Sequence, residues 1–263
     1  MFKKVCIIGC GLIGSSIARA IKKNNLAKKI VSSNRSEATN KKVIKLKIVD
    51  EASSDTSKVV RESDLIIIAT PLSSYKGVLL KIKKSIKNGA ILTDVGSVKK
   101  KAISTIEKNI PKNISWISSH PISGTEESGP EAGFSELFKN RWCILTPSKQ
   151  VKSKDIKLLE SFWKKIGSKV DIMNASQHDY VLSITSHLPH LIAYNLVNTT
   201  LKMKKKKDRD IVKFSAGGLR DFTRVAASNP IMWRDIFIEN KKNTSKMIDK
   251  FIHNLKYLKR AIR

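Results

Sequence analysis

Aromatic residues make up only 6% of the 263-residue chain, arginine is scarce beside lysine, and 22 acidic residues stand against 51 lysines and arginines. The formal charge of +29 suggests an anionic partner such as nucleic acid or a membrane surface. Proteins that read nucleic acid concentrate arginine and interleave aromatics for stacking, and this chain does neither. Its lysines are scattered over almost every segment, as on solvated faces, so no nucleic-acid partner is expected. A diffuse positive field would still help draw in a small polyanionic substrate. No apolar run is long enough to span a bilayer, and no membrane partner is expected. Cysteine is limited to Cys6, Cys10 and Cys143, an odd number with neither a disulfide framework nor metal-ligand spacing. A reducing cytoplasm fits that usage, and no metal is expected.

The N-terminus imitates a secretion signal, with Lys3-Lys4 before an apolar stretch and Ile8-Gly9-Cys10 like a lipoprotein cleavage box. Three glycines within six residues make a poor apolar helix, and they have a better use. Residues 4–8 read as a short buried strand, followed by Gly9-Cys10-Gly11-Leu12-Ile13-Gly14 and a helical run to about Lys23. This is G-x-G-x-x-G in the context it requires, a strand, a tight turn and a helix. The first glycine permits the turn, the second lets backbone approach a pyrophosphate, and the third lets helix and strand pack closely. Free N–H groups and the positive dipole end of the helix then face the phosphates. Gly9, Gly11, Leu12, Ile13 and Gly14 are the expected dinucleotide-binding residues.

A second strand, 29–33, ends at Asn34-Arg35-Ser36, where an acidic residue would ordinarily hold the adenosine ribose hydroxyls. None is present. A carboxylate would repel a 2′-phosphate, whereas Asn34 with Arg35 and Ser36 could accept one; Asn34 could also serve an unphosphorylated ribose, so the expected cofactor is NAD or NADP with a lean to NADP. Arg35 could equally point to solvent.

Further strands read at 64–70, 90–94, 114–119, 142–146 and 169–172, with helices at 75–86 and 154–166. Alternating strands and helices with short loops mean a mostly parallel, doubly wound Rossmann-type sheet. Thr70-Pro71 and Ser97 would share its carboxyl edge with the glycine loop. His120 closes the strand 114–119, and Pro121 biases it away from helix, so the chain is expected to leave the strand there as a loop. Loops at that edge line the ligand crevice of open α/β sheets, and a histidine there is a candidate acid or base.

After Met173 the strand signals stop, placing a domain of residues 1–173 before a helical one of 174–263. Residues 175–201 read as one helix kinked at Pro189, 202–207 as an exposed lysine connection, and 214–224 as a glycine turn opening a short helix. Residues 231–262 read as helical with a break near Asn243. Some ninety residues make a small independent core, so packing against a second copy or across the crevice is expected. His187 and His190 lie three apart on one helix face, without a third ligand at metal spacing. They read either as core histidines capped by carbonyls or as hydrogen-bonding groups of a substrate cleft. Arg224 reads either as a structural ion pair or as a bidentate fork for a carboxylate.

Taken in order, several segments resemble the prephenate/arogenate (cyclohexadienyl) dehydrogenase family. They are Gly9-Cys10-Gly11-Leu12-Ile13-Gly14-Ser15-Ser16, Asp94-Val95-Gly96-Ser97-Val98-Lys99, His120-Pro121-Ile122-Ser123-Gly124-Thr125-Glu126 and His178-Asp179. Ser186-His187-Leu188-Pro189-His190, Gly217-Gly218-Leu219-Arg220-Asp221-Phe222-Thr223-Arg224-Val225-Ala226 and Met232-Trp233 complete the series. The resemblance implies an N-terminal nucleotide-binding domain and a helical domain that pairs two subunits into a homodimer. It implies oxidative decarboxylation of prephenate or arogenate, with His120 catalytic and Ser97 orienting it near the nicotinamide. Arg224 would bind a substrate carboxylate. Thr125, Glu126, His187 and His190 would line the pocket, with Gly217 and Trp233 reaching in from the partner subunit. Ser123 departs from the alanine expected there. The chain leaves no room for a fused mutase or regulatory domain, so tyrosine feedback through such a domain is not expected.

Overall fold

The computed structural model describes residues 2–148, 150–203 and 211–263. The chain divides into two compact units, Met1–His178 and Asp179–Arg263.

In the first unit, β1 (Phe2–Ile8), β2 (Ala27–Ser33), β3 (Glu51–Ser53) and β4 (Leu65–Ile68) share one sheet with β5 (Ile91–Asp94), β6 (Ser115–Pro121), β7 (Trp142–Pro147) and β8 (Lys169–Ile172). Their order is β3-β2-β1-β4-β5-β6-β7-β8. The first six positions follow the doubly wound dinucleotide-binding order. Both faces are covered, and alternate residues divide between two cores, as the period of two requires. Val5, Ile7, Leu65 and Ile67 pack with Ile17 and Ile21 of α1 (Leu12–Lys23) and with Phe162 and Trp163 of α6 (Ser153–Lys165). Cys6, Ile8, Ile66 and Ile68 pack on the other face with Leu79 of α4 (Tyr75–Ile82) and Ile106 of α5 (Lys99–Glu107).

All pairings are parallel except β6 with β7. A parallel return needs a crossover, usually a helix, and residues 122–141 contain none, so β7 comes back antiparallel.

The expected strand exit at His120 needs correction. β6 continues through His120 and Pro121, which pair with Ile144 and Cys143 of β7. The Ile122 N–H donates to Trp142 O, so in this alternating ladder the position of Pro121 turns the other way, toward β5. β5 has already ended at Asp94, so the missing proline N–H breaks no ladder bond. The proline is tolerated because it faces a vacated position.

Other boundaries shift too. The helix expected over 75–86 stops at Ile82, after a 3₁₀ turn at Leu72–Ser74. Four elements carry too little pattern to be read from sequence: α2 (Glu37–Lys45), β3, α3 (Thr56–Val60) and α5. α3 nonetheless has a recognisable start, because the Asp55 side chain accepts the N–H groups of Ser57 and Lys58.

The boundary between the units falls inside α7 (Ala175–Leu182). The second unit continues through α8 (Leu188–Met203), α9 (Gly217–Ala226), α10 (Pro230–Glu239) and α11 (Lys241–Ala261). The kink expected at Pro189 is instead a π turn at Ser183–His187, with Leu188 N–H donating to Ser183 O. Widening the helix there accommodates a ring that would press on the carbonyl four residues back and has no N–H to give. The glycine turn expected near 217 is also different. Gly217 and Gly218 are the first helical residues of α9, and Ala216 is its extended N-cap. The break expected near Asn243 lies at Asn240. Of the lysine connection at 202–207, Lys202 is exposed on α8 and 204–207 fall outside the described residues.

Candidate active site

In the parallel part of the sheet, the carboxyl ends of β1, β2, β4 and β5 share one edge with the carboxyl-terminal stretch of β6. That edge collects the glycine loop, Asn34, Thr70-Pro71, Ser97 and His120. The glycine loop is built for close approach. Gly9 has φ +95°, and a side chain there would meet Ala69 O and Thr70 Cγ2 at 2.8 Å. Strand exit and loop are therefore in contact. At Gly14 an added Cβ would lie 2.0 Å from Gly9 O, so helix and turn touch backbone to backbone. Gly11 differs: nothing lies within 4 Å of its would-be Cβ, and it is exposed. It caps α1 with no side-chain hydrogen bond and no acidic residue in the first turn. An open cradle at a positive helix end suits the pyrophosphate of a dinucleotide. Leu12 and Ile13, half-buried, open that helix.

Asn34 turns inward. Its Oδ1 accepts the Cys10 N–H at 2.6 Å, and its Nδ2 donates to Asn40 Oδ1 at 3.0 Å and Ser32 Oγ at 3.3 Å. It ties the glycine loop to the end of β2, and Arg35 is the exposed residue beside it. Burial pushes the Cys10 thiol up to about 12, so it stays protonated within the loop. Thr70 accepts a hydrogen bond from Ser74 Oγ, and Pro71 caps the 3₁₀ turn that follows.

His120 is buried on β6, and its Nδ1 lies 2.9 Å from Nε2 of His178, which is fully buried on α7. The rings are tilted by 59° with centroids 5.1 Å apart. One nitrogen of this pair must carry the shared proton, so each ring fixes the other's tautomer. Sequence reasoning gave His178 no role of its own; the signal was its place one turn into the helix after β8. Ser97 is half-buried in the turn between β5 and α5. Thr125 and Glu126 are exposed on the loop that follows β6, where Thr125 Oγ1 accepts the Glu127 N–H. This loop rests on α1. The Phe134 N–H donates to Ser16 Oγ, and a side chain at Gly133 would meet Ser15 Oγ at 2.1 Å. Glu136 pairs with Lys23, and Glu131 with Lys42.

In the second unit, His187 is buried and lies 3.1 Å by Nδ1 from Asn240 Nδ2. Asn240 also donates from Nδ2 to Asp179 O at 2.7 Å, and its Oδ1 accepts from Asn243. Those two bonds fix the amide orientation, so His187 Nδ1 is the acceptor and its Nε2 carries hydrogen. His190 has the opposite tautomer: Nδ1 donates to Ser186 O at 2.9 Å, leaving Nε2 as an acceptor. Burial lowers its basicity and keeps the ring neutral. Trp233 stacks on it within the same chain, centroids 3.6 Å apart. Gly217 begins α9, and Arg224 is exposed on that helix. Among the described residues no three His, Cys, Asp or Glu side chains gather as a metal cluster. No described helix is long and apolar enough to cross a membrane.

Profiles of two families match: "Prephenate dehydrogenase, nucleotide-binding domain" over residues 17–172 and "Prephenate dehydrogenase, dimerization domain" over 174–263. Among curated proteins, a cyclohexadienyl dehydrogenase of Zymomonas mobilis is 40% identical over 262 residues, covering 100% of this chain and 89% of the relative. Among solved structures, prephenate dehydrogenase of Aquifex aeolicus, in complex with hydroxyphenyl propionate and NAD+, superposes with a TM-score of 0.92. It is 35% identical and covers 100% of this chain and 91% of that one. Arogenate dehydrogenase of Synechocystis is 26% identical with a TM-score of 0.78, covering 98% and 91%.

Proposed function

Because the chain belongs to the prephenate dehydrogenase family, we propose that it oxidatively decarboxylates prephenate, arogenate or both in tyrosine biosynthesis. The products would be 4-hydroxyphenylpyruvate or tyrosine. The observation that carries this reading is His120, buried at the carboxyl edge of the sheet and bonded to His178, in the edge that also presents the glycine cradle.

The glycine loop and the first turn of α1 would hold the dinucleotide, with Thr70, Pro71 and Ser97 along the same edge. When bound, the cofactor supplies the hydride acceptor. The chain's own residues do the rest. With His178 accepting the Nδ1 proton, His120 would use an unprotonated Nε2 to take the proton of the substrate's ring hydroxyl, with Ser97 orienting the imidazole. As the hydride leaves C4, the hydroxyl proton passes to His120 and the ring becomes a dienone. Loss of the C1 carboxylate as CO2 sends its electron pair through the ring to oxygen, and His120 returns the proton to the phenolate. Aromatisation drives the sequence, so orientation, one base and charge complementarity suffice. Arg224 would grip the substrate carboxylate, with Thr125, Glu126, His187, His190, Gly217 and Trp233 lining the pocket.

For the cofactor, the buried Asn34 and exposed Arg35 place no carboxylate at the ribose end and leave a guanidinium available to a 2′-phosphate. That supports use of NADP beside NAD. A homodimer through the helical unit is supported by α9, which buries none of its residues although it carries Leu219, Phe222 and Val225. Three free, buried thiols fit the cytoplasm.

The test is a two-by-two assay, prephenate and arogenate against NAD and NADP, followed at the nicotinamide absorbance. Turnover of neither substrate would end the proposal. His120→Asn should bind substrate with turnover largely lost, and Arg224→Ala should chiefly raise KM.

A further inference from the structure

Directly beneath this edge lies a buried ion pair that the mechanism above does not use. Asp94, the last residue of β5, and Lys99, the first of α5, are both fully buried, with Nζ 2.9 Å from Oδ2 and 3.1 Å from Oδ1. A buried pair survives only when its remaining lone pairs and protons are satisfied, and here they are spent on two hydroxyls and on particular backbone groups. Asp94 Oδ1 accepts from Ser118 Oγ at 2.7 Å and from the Ser119 N–H at 3.2 Å. Asp94 Oδ2 accepts from Tyr75 Oη at 2.7 Å and from the Gly96 N–H at 2.9 Å. Lys99 also donates to Ser119 O at 2.6 Å, and Ser119 Oγ donates to Asp94 O at 2.5 Å. Both backbone groups of the residue before His120 are thus held by these two side chains, and its Oγ by the Asp94 carbonyl and Thr93 Oγ1 at 2.9 Å. The residue before Ser97 is held too, through its N–H.

The packing leaves no slack. A Cβ on Gly96 would stand 2.8 Å from both Asp94 Oδ2 and Tyr75 Oη. Burial and the Asp94 charge push the Tyr75 phenol well above its usual range, so it remains a donor. Buried ion pairs add little stability over apolar residues of equal volume, so stability alone gives a poor reason for one here. Its bonds converge on two short backbone stretches, the two that carry the base and the orienting hydroxyl.

We infer that Asp94 and Lys99 are positioning residues for this reaction, a buried pair that locks the Ser119–His120 and Gly96–Ser97 backbone into one frame and so sets the rate of the chemical step. The inference rests on the function proposed above. Displacing a catalytic group by about 1 Å costs on the order of a hundredfold in rate.

The test compares wild type, Asp94→Asn and Ser119→Ala. Read-outs are kcat, KM, nicotinamide-cofactor affinity, melting temperature and the isotope effect with substrate deuterated at the hydride-bearing carbon. Asp94→Asn should lower kcat by about 30- to 100-fold with KM and cofactor affinity within about threefold, and should raise the isotope effect as chemistry becomes limiting. Ser119→Ala, which removes the Oγ bonds to Asp94 O and Thr93 Oγ1 and no charge, should lower kcat severalfold with only a modest fall in melting temperature. A folded Asp94→Asn enzyme with kcat within twofold of wild type would overturn the inference. So would a loss of kcat that only tracks lost cofactor affinity. Should Asp94→Asn fail to fold, Ser119→Ala decides, and unchanged turnover there overturns it. Wild type inactive on both substrates would instead remove the parent reading, and this one with it.

Discussion

Replacing His178 by leucine removes the ring nitrogen 2.9 Å from His120 Nδ1, the acceptor in the mechanism proposed above, while filling a site that is fully buried. His120 would then have to leave a buried N–H without its partner or shift its proton to Nε2, which abolishes the base. An unmet buried donor costs about 1–3 kcal/mol, and the native bond favours the productive tautomer by a comparable amount. At about 1.4 kcal/mol per factor of ten, kcat should fall by roughly 5- to 150-fold. His178→Gln supplies an amide oxygen able to accept the same proton and should recover part of that loss. Steady-state kinetics on both variants at saturating cofactor, with melting temperatures in parallel, separate positioning from packing. KM should change little, because His178 touches the base rather than the substrate. If the leucine variant turns over within twofold of wild type, His178 does not set the tautomer. Equal losses in both variants, matched to equal falls in stability, would reduce its role to packing.

Gly11→Ala and Gly14→Ala should separate binding from folding. The first adds a methyl to open space and should lower cofactor affinity at least tenfold with an unchanged melting temperature, since that space is where a pyrophosphate would approach. The second drives a Cβ to 2.0 Å from Gly9 O and should lower both; equal behaviour of the two would contradict the loop geometry. The thiols give a pH signature. Burial raises Cys10 from 9.0 to about 12, so below pH 9 the unfolded thiol is protonated as well and its contribution to stability is complete. Between about pH 9 and 12 only the unfolded chain releases that proton, and stability should fall by about 1.4 kcal/mol per pH unit from this group. Urea midpoints at pH 8, 9.5 and 10.5 test it. A Cys10→Ala variant with the same slope as wild type would assign the loss elsewhere.

The parts of this fold that announce themselves in the sequence are those with strong local pattern. β1, β4 and β5 are short apolar runs ending in turn residues, and the glycine fingerprint fixes how β1 enters α1. α2 buries only Asn40 and Val43, so no apolar stripe marks it, and β3 is three residues long. The π turn is legible in hindsight: Pro189 forces some departure from the regular ladder, but which departure depends on neighbours remote in sequence. Of the candidate site, Gly9, Gly14 and His120 could be found because their chemistry requires a local context. Asn34 was found for the missing acid, whereas its structural work, holding the Cys10 N–H, comes from a contact 24 residues away. The partnership of His120 with His178 spans 58 residues, and neither residue's local pattern names the other.

The unequal lengths of two neighbouring strands explain why His120 is found where it is. β5 stops at Asp94, whereas β6 overhangs it by three residues, Ser119, His120 and Pro121. An overhang strands backbone groups on the vacated side, and buried backbone groups must be paired. Alternation sends the positions of Ser119 and Pro121 to that side and that of His120 to β7. Pro121 has no N–H to satisfy, and the groups of Ser119 are met by Asp94 and Lys99. The histidine between them therefore rests on a complete ladder on one side and on an ion pair on the other. Had β5 run three residues further, ordinary strand pairing would have satisfied Ser119, and Pro121 would have interrupted it. The turn bearing Ser97 would then have moved on by the same distance, about 10 Å at the usual rise per strand residue. The early stop of β5 brings hydroxyl and imidazole to one edge, and the buried pair makes that stop tolerable.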